Sequence, residues 1–473
     1  MRLRYFAVSL LCLVAGTAGA QSGKTMQQGK SPELRIDYTQ EKLPNGLTVL
    51  YHVDHSTPVA AVLLWYNVGS KMEQPGRTGF AHLFEHMMFK GSKNVADGQH
   101  WALLEAAGGR AGADINGTTS WDRTNYFEQV PSNQVELALW LESDRMGTLT
   151  ETLTKEKLDN QREVVKNERR QSVDNQPYGS WLEKSEELMF PESHPYHHSV
   201  IGSMADLSAA SVEDVRSFFK TYYAPNNAVL VIAGDIDVPQ TKAMVRKYFG
   251  PIPRGPNPPR LANMNLPIII GREQRVVVQD ALAPAPRIYV AYRVPAEKDR
   301  RAPVVDVLAS VIGGGSSSRL DESLVRRQQI ATSVTAFNLN LADGADMLVF
   351  VATGKPGSSP DSLERALLAE LAGTSSFTQS ELERAKALQR FSFVDGLQTT
   401  GGFGGRADLL AEGWTYFHDP NFVNTALQHI DRVTLDDLNA LGRERLVPAN
   451  RVVLVYVPVK KAASHTSETR ISQ

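Results

Sequence analysis

SVEDVRSFFKTYYAPNNAVLVI, Ser211–Ile232, recurs without a gap as TLDDLNALGRERLVPANRVVLV, Thr434–Val455, at a constant offset of 223 residues. Each copy opens on a hydroxyl residue followed three places later by an acid, Ser211 with Asp214 and Thr434 with Asp437. That pair satisfies the first free N–H groups of a helix. Pro225 and Pro448 then break the chain, and β-branched runs close each unit as strands. Cap, breaker and strand in one register indicate a duplicated α/β unit. The expected fold class is α+β, two homologous α/β halves, each a mixed sheet packed with helices.

Between the copies, GPIPRGPNPPR (Gly250–Arg260) has Pro or Gly at more than half its positions and suits neither helix nor central strand. The reading is an N-terminal domain over 35–250, a Pro/Gly-rich linker over 251–264 and a homologous C-terminal domain over 265–460. The first half opens in β structure: EKLPNGLTVLYHVD carries the tight-turn pair Asn45-Gly46 and is followed by the apolar run VAAVLLWY. GGFGGR, from Gly401, lacks the Lys-Ser/Thr of a phosphate-binding loop and reads as a flexible connector.

At the N-terminus, Arg2 and Arg4 precede an apolar run from Tyr5 to Ala15 and the small residues Ala18-Gly19-Ala20, the pattern of a cleavable export signal over 1–20. The expected location is periplasmic or secreted, with no membrane span after signal removal. The only cysteine, Cys12, falls inside that segment, which removes thiol catalysis and thiolate metal sites from the mature chain. With 50 basic residues against 52 acidic ones there is no electrostatic footprint for nucleic acid.

TGFAHLFEHMMF, Thr78–Phe89, reads as a largely buried helix, because Phe80, Ala81, Leu83, Phe84, Met87 and Met88 cover most of its circumference. The remaining strip holds His82, Glu85 and His86, brought together by the 3.6-residue turn. Burying two imidazoles and a carboxylate without partners costs several kcal/mol, roughly, so the strip needs a cation or a dense hydrogen-bond network. Two histidines at i and i+4 direct ring nitrogens at one tetrahedral zinc, and the glutamate reaches a water beside it. His-x-x-Glu-His is the inverted zinc-peptidase pattern.

A catalytic zinc requires a third protein ligand. TKEKLDNQREVVKNERRQS, Thr154–Ser172, is strongly helical, with an inward face expected to bear Leu158, Val164 and Val165. Gln161 and Glu168 fall on that face, whereas Glu163 projects to nearly the opposite side. The competing reading of Glu168 is an exposed acid paired with Arg169 or Arg170.

With these residues in view, the chain resembles the pitrilysin/insulinase family of zinc peptidases, in particular its two-domain bacterial members and the zinc-bearing subunit of mitochondrial processing peptidase. The likeness runs from about Leu43 to Val457. It rests on Leu43-Pro-Asn-Gly-Leu, His82-Leu-Phe-Glu-His86 with Phe89-Lys-Gly91, and Asn116-Gly-Thr-Thr-Ser120 with Thr124-Asn-Tyr126. It continues through Leu141-Glu-Ser-Asp-Arg-Met146, Arg162-Glu-Val-Val-Lys-Asn-Glu168, His194-Pro-Tyr196 with Ile201-Gly202, and Ser318-Arg-Leu320. The resemblance implies Zn2+ bound by His82, His86 and Glu168, with Glu85 as catalytic base and peptide-bond hydrolysis as the reaction.

It also implies that substrate adds as a strand beside Asn116, Gly117 and Thr118. His194, Tyr196, His197 and His198 match a loop that binds no metal. Two positions depart from the family. Gln161 stands where a second glutamate is common and could still orient a ligand or a water. Val325 and Thr332 stand where complete single-chain members carry an Arg and a Tyr that hold substrate and stabilise the oxyanion. The family pattern therefore implies a heterodimer in which a homologous partner subunit supplies the missing pair, the alternative being a homodimer or monomer with weak or substitute electrophilic assistance; the rival from another class is a non-catalytic scaffold subunit.

Overall fold

The computed structural model describes residues 34–373 and 376–459; the segment expected to be an export signal, 1–20, and Cys12 within it lie outside the described residues. In the first half the strands are β1 (Thr39–Lys42), β2 (Thr48–Val53), β3 (Val59–Tyr66), β4 (Ile115–Thr119), β5 (Thr124–Pro131) and β6 (Ala228–Gly234). They form one sheet in the order β1-β2-β6-β3-β5-β4. Leu43 N–H donates to Leu47 O at 2.8 Å across the Asn45-Gly46 turn, and Gly46 takes the positive φ of 97° that the turn requires. The second half contributes β7 (Gln274–Asp280), β8 (Arg287–Val294), β9 (Ala331–Asn338), β10 (Asp346–Gly354) and β11 (Arg451–Pro458), in the order β7-β11-β8-β10-β9.

The two sheets share one topology. β2 and β6 are parallel, as are β7 and β11, and every other neighbouring pair is antiparallel. Laid over each other, β2-β6-β3-β5-β4 and β7-β11-β8-β10-β9 match strand for strand, and β1 is an addition to the first half. The two capping boxes form as read, Ser211 with Asp214 and Thr434 with Asp437. Duplication in sequence is duplication in architecture.

Successive side chains of a strand point to opposite faces, and both faces are covered here. Val62, Leu64, Tyr66, Leu230 and Ile232 pack against the first half's own helices. Their neighbours Ala61, Leu63, Trp65, Val229 and Val231 pack instead against Ala407, Leu410 and Ala411, from helix Arg406–Phe417 of the second half. The relation is reciprocal. Tyr178, Met189 and Phe190, on and beside helix Trp181–Met189 of the first half, cover Tyr289, Ala291, Val349 and Leu454 of the second sheet, and the Trp181 ring stacks on Tyr289 at 5.0 Å. Each half thus lends a helix to the other's sheet.

GGFGGR departs from the expected free connector. A Cβ on Gly401 would lie 2.6 Å from the Ala61 Cβ, so the loop is pressed onto β3. Residues 251–273 contain neither helix nor strand, and the start of the segment is tied down where Asn45 donates to Phe249 O and Ile252 O.

Candidate metal centre and active site

Helix Phe80–Met87 runs between β3 and β4 with Phe80, Ala81, Leu83, Phe84 and Met87 buried. Its N-terminus has no side-chain cap of its own. Glu73, from the preceding loop, accepts the N–H groups of Gly79 at 2.9 Å and Ala81 at 2.7 Å. Burial raises the Glu73 carboxyl well above the usual carboxylate range, although these N–H groups oppose the shift. His198 lies 3.5 Å from the same carboxylate. Gly79 is fixed by contact as well as by its φ of 84°, because a Cβ there would lie 2.7 Å from Ile201 O.

One turn on, His82 and His86 face each other with ring centroids 4.8 Å apart. Glu168 arrives from helix Lys155–Arg169, capped by Thr154 and buried through Leu158, Gln161 and Val165. Val164 corrects the expected inward face: it is 42% exposed, because the buried arc follows Leu158, Gln161 and Val165 and leaves Val164 at its margin. Glu168 Oε2 stands 3.6 Å from His82 Nε2 and 3.4 Å from His86 Nε2. The competing pairing with its neighbours is not formed, since Arg169 bonds Glu183 and Arg170 bonds Asn167. Glu163 points outward to Lys166.

The three side chains fit a zinc ion. Their candidate ligand atoms lie within 4.8 Å of one another. Separations of 3.4 and 3.6 Å exceed the roughly 2.7–2.9 Å of a charge-assisted hydrogen bond, yet match the edges of roughly 3.3–3.5 Å in a tetrahedron with bonds of about 2.0–2.1 Å. His82 Nδ1 is buried without a hydrogen-bond partner among the described residues, so its Nε2 is the nitrogen directed at other groups. Burial, helped by His86, lowers His82 to about 4, keeping its ring neutral. His86 goes the other way: burial would lower it, but Glu168 and Glu85 raise it. The Glu168 carboxyl is held below its usual range, chiefly by the His86 ring facing it. Side-chain exposures of 12% for His82, 21% for His86 and 46% for Glu168 leave one side of the cluster open to solvent.

Glu85 is kept apart from this triad. Its Oε2 accepts from Thr119 Oγ1 at 2.6 Å, and burial raises its carboxyl above the ordinary value. That is the direction required of a general base working near neutrality. Thr119 ends β4, which is an edge strand. Ser120 N–H donates to Arg123 O and Gln129 N–H to Asp114 O, so by antiparallel alternation the backbone groups of Ile115, Gly117 and Thr119 face away from β5. Ile115 already bonds Arg110 and Gly112. Gly117, whose N–H donates to Asn116 Oδ1 at 2.9 Å and whose C=O faces outward, and Thr119 carry the edge, immediately beside Glu85.

The adjoining cleft, about 320 Å³, is lined by Glu85, His86, Phe89, Trp101, Asn116 and Gln161 among others. Phe89 and Trp101 stack at 4.5 Å along its wall. Gln161 bonds Asn160 and faces His86. Asn116 donates to Gly112 O, and Thr118 bonds Asn125 and Arg123. Glu73 and Thr119 were not singled out by sequence: Glu73 lies in a loop without a pattern, and Thr119 stood inside Asn116–Ser120 unremarked.

In the second half the equivalent helix, Ala302–Gly313, is apolar and carries no histidine. Val325 packs on the second core and Thr332 Oγ1 donates to Thr353 O. His194 bonds Tyr196 N–H and Met264 O, and His197 bonds Phe190 O.

Fold and site together define a duplicated α+β protein with a His-x-x-Glu-His helix and a distant glutamate converging on one point. The chain belongs to the pitrilysin/insulinase family of peptidases, family M16. The model described as Insulinase (Peptidase family M16) matches residues 48–189, and that described as Peptidase M16 inactive domain matches 209–389. The zinc protease PqqE of Helicobacter pylori is 30% identical over 379 residues, covering 78% of this chain and 82% of that one. The mitochondrial-processing peptidase subunit beta of Lentinula edodes is 26% identical over 363 residues, covering 73% and 74%. Among solved structures, a protease from Helicobacter pylori superposes with a TM-score of 0.81 at 27% identity, covering 90% of this chain and all of that one. No helix of the described residues is long and apolar enough to cross a membrane.

Proposed function

We propose that this chain is a zinc-dependent endopeptidase acting on peptides or unfolded polypeptide segments, with His82, His86 and Glu168 as metal ligands and Glu85 as general base. The observation that carries this reading is the convergence of His82 Nε2, His86 Nε2 and Glu168 Oε2 while Glu85, one turn away, is held by Thr119 beside an open strand edge. A zinc ion held by these three residues would supply Lewis acidity for a water and the scissile carbonyl. Peptide pairs with β4 at Gly117, between Asn116 and Thr118, which lays its backbone next to Glu85. Glu85 accepts the proton of the attacking water and passes it to the leaving amine, and Gln161 orients His86.

The chain acts as the catalytic subunit of a heterodimer, because Val325 and Thr332 offer no cationic or phenolic group to a developing oxyanion. The fold of this chain covers 48% of the longer periplasmic protease PqqL of Escherichia coli, at 20% identity. A second unit of the same architecture is the partner that geometry invites. The compartment is the periplasm or exterior, as the export-signal pattern over 1–20 requires. The same loss of the Arg/Tyr positions favours the second reading, a scaffold subunit that binds but does not cleave. A quenched-peptide assay on the mature chain, alone and with a homologous partner, decides between them. Cleavage abolished by Glu85→Gln with zinc content unchanged supports the peptidase; zinc binding without cleavage in every combination refutes it.

A further inference from the structure

The half without the metal motif bonds the strands that carry the candidate active site, from the sheet face opposite the His82–His86 helix. Asp408, in helix Arg406–Phe417, accepts from Trp65 Nε1 of β3 at 2.9 Å and from Asn125 Nδ2 of β5 at 3.2 Å through Oδ1. Its Oδ2 accepts from Gly404 N–H at 2.9 Å, which ties it to the glycine loop. A carboxylate only accepts, so Asp408 dictates which way the Asn125 amide is turned. With Nδ2 committed to Asp408, Asn125 Oδ1 faces Thr118 and accepts its hydroxyl proton at 2.5 Å. Thr118 Oγ1 is then free to accept from Arg123, which also donates to Thr118 O at 3.0 Å and lies over the Trp65 ring at 5.2 Å. The next residue, Thr119, holds Glu85.

We propose that Asp408 is a positioning residue for the peptide-binding edge: by orienting Asn125 it fixes Thr118, and so sets the height of β4 relative to Glu85. The inference rests on the peptidase reading for its kinetic consequence, but not for its structural one. The second half thereby acts on the reaction through a carboxylate 290 residues distant in sequence from Thr118, without touching substrate. Replacing Asp408 loosens the strand on which peptide must pair and leaves the metal-binding helix intact.

The test uses the full mature chain with any partner needed for cleavage, and the variants Asp408→Ala, Asp408→Asn and Asn125→Ala. Asp408→Ala should raise KM for a quenched peptide at least tenfold with kcat changed less and zinc content unchanged. Asp408→Asn keeps an oxygen for Trp65 and Asn125 but turns an amide N–H against the Gly404 N–H that Oδ2 accepts, so its KM should fall between those of the alanine variant and wild type. The Asp408→Ala/Asn125→Ala double variant should be no worse than either single one, because both break the same chain of bonds. Additive losses, or a fall in kcat that merely follows loss of zinc or of folded protein, would overturn the proposal. Hydrogen exchange decides independently of any activity: Asp408→Ala should speed exchange across 115–126 but not across helix 80–87, and unchanged exchange over 115–126 removes the inference. Absence of cleavage by the wild-type protein would instead count against the peptidase reading.

Discussion

Gly117 lies so close to Glu85 that a Cβ added to it would stand 3.1 Å from Glu85 Cγ and 3.2 Å from Glu85 Oε1. The same Cβ would press on Tyr126 Cδ1 at 3.1 Å, so it has no easy side on which to yield. The strand edge and the proposed base are therefore in contact through a missing side chain.

Gly117→Ala should shift either β4 or the Glu85 carboxylate by a few tenths of an ångström. A fall in kcat of roughly tenfold, and of about a hundredfold for Gly117→Val, is expected from displacement of that order. Zinc content should not change, because no ligand atom touches Gly117. Steady-state kinetics with metal analysis checks this, and an alanine variant with wild-type kcat would show that the base tolerates the crowding.

The ligand assignment turns on two glutamates of one helix. Glu168→Gln should lower zinc affinity by about 10- to 100-fold or more, since a ligand of charge −1 is replaced by a weak neutral one. Glu163→Gln, five residues earlier and bonded outward to Lys166, should bind zinc as the wild type does. Competition with a chromogenic chelator measures both; equal affinities would dismiss Glu168 as a ligand.

How much of this was legible before the structure depends on how far each signal extends along the chain. The capping pairs Ser211/Asp214 and Thr434/Asp437 are local and exposed, so they announced the duplication directly. His82, Glu85 and His86 were marked by helical period within one turn. Val164 was misjudged because that helix buries a polar arc, and apolar residues alone drew the inward face too wide. The apolar runs of β3, β6, β8 and β10 signalled sheets covered on both sides, but nothing local in them says that the cover comes from the other half. Trp65 and Asp408 meet across 343 residues, and no periodicity records such a contact. Glu73 escaped for a related reason: it caps a helix from a loop rather than from the position before it.

The halves are also joined through a buried lysine shared by two aspartates. Lys71 Nζ donates at 2.7 Å to Asp122 at the tip of the β4–β5 hairpin and at 2.7 Å to Asp343 of the second half. Tyr196 donates to the same Asp122 carboxylate at 2.5 Å, and Ala342 N–H at 3.0 Å. Burial alone would lower the lysine, but the two aspartates outweigh it and raise it. Lys71→Met strands Asp122 without its cation and should cost about 3–5 kcal/mol in urea unfolding. Tyr196→Phe removes one hydrogen bond to a charged group and should cost about 1.5–3 kcal/mol. A lysine variant less destabilised than the tyrosine variant would contradict this ordering.

Stability should fall as pH rises through neutrality, and the sign follows from four acids of the second half. Glu297 is pushed up to about 8 by burial and by Asp306, Glu412 and Asp346 around it. Burial also raises Asp346 to about 7, Glu412 to about 7 and Asp306 to about 6. In the unfolded chain such groups ionise near pH 4. Between there and pH 8 the folded chain holds protons that the unfolded chain has released, so this contribution to stability is lost as pH rises. His82 and His194, both lowered to about 4, act in the opposite sense, but their contribution is complete once pH passes the ordinary histidine value of about 6.5. The window from about pH 6.5 to 8 is therefore governed by the acids. With zinc present in excess, Tm should drop across that window, and Glu297→Gln, which cannot ionise, should flatten the drop. A wild-type Tm that holds or climbs from pH 6.5 to 8 would mean that these carboxyls titrate in the fold as they do in water.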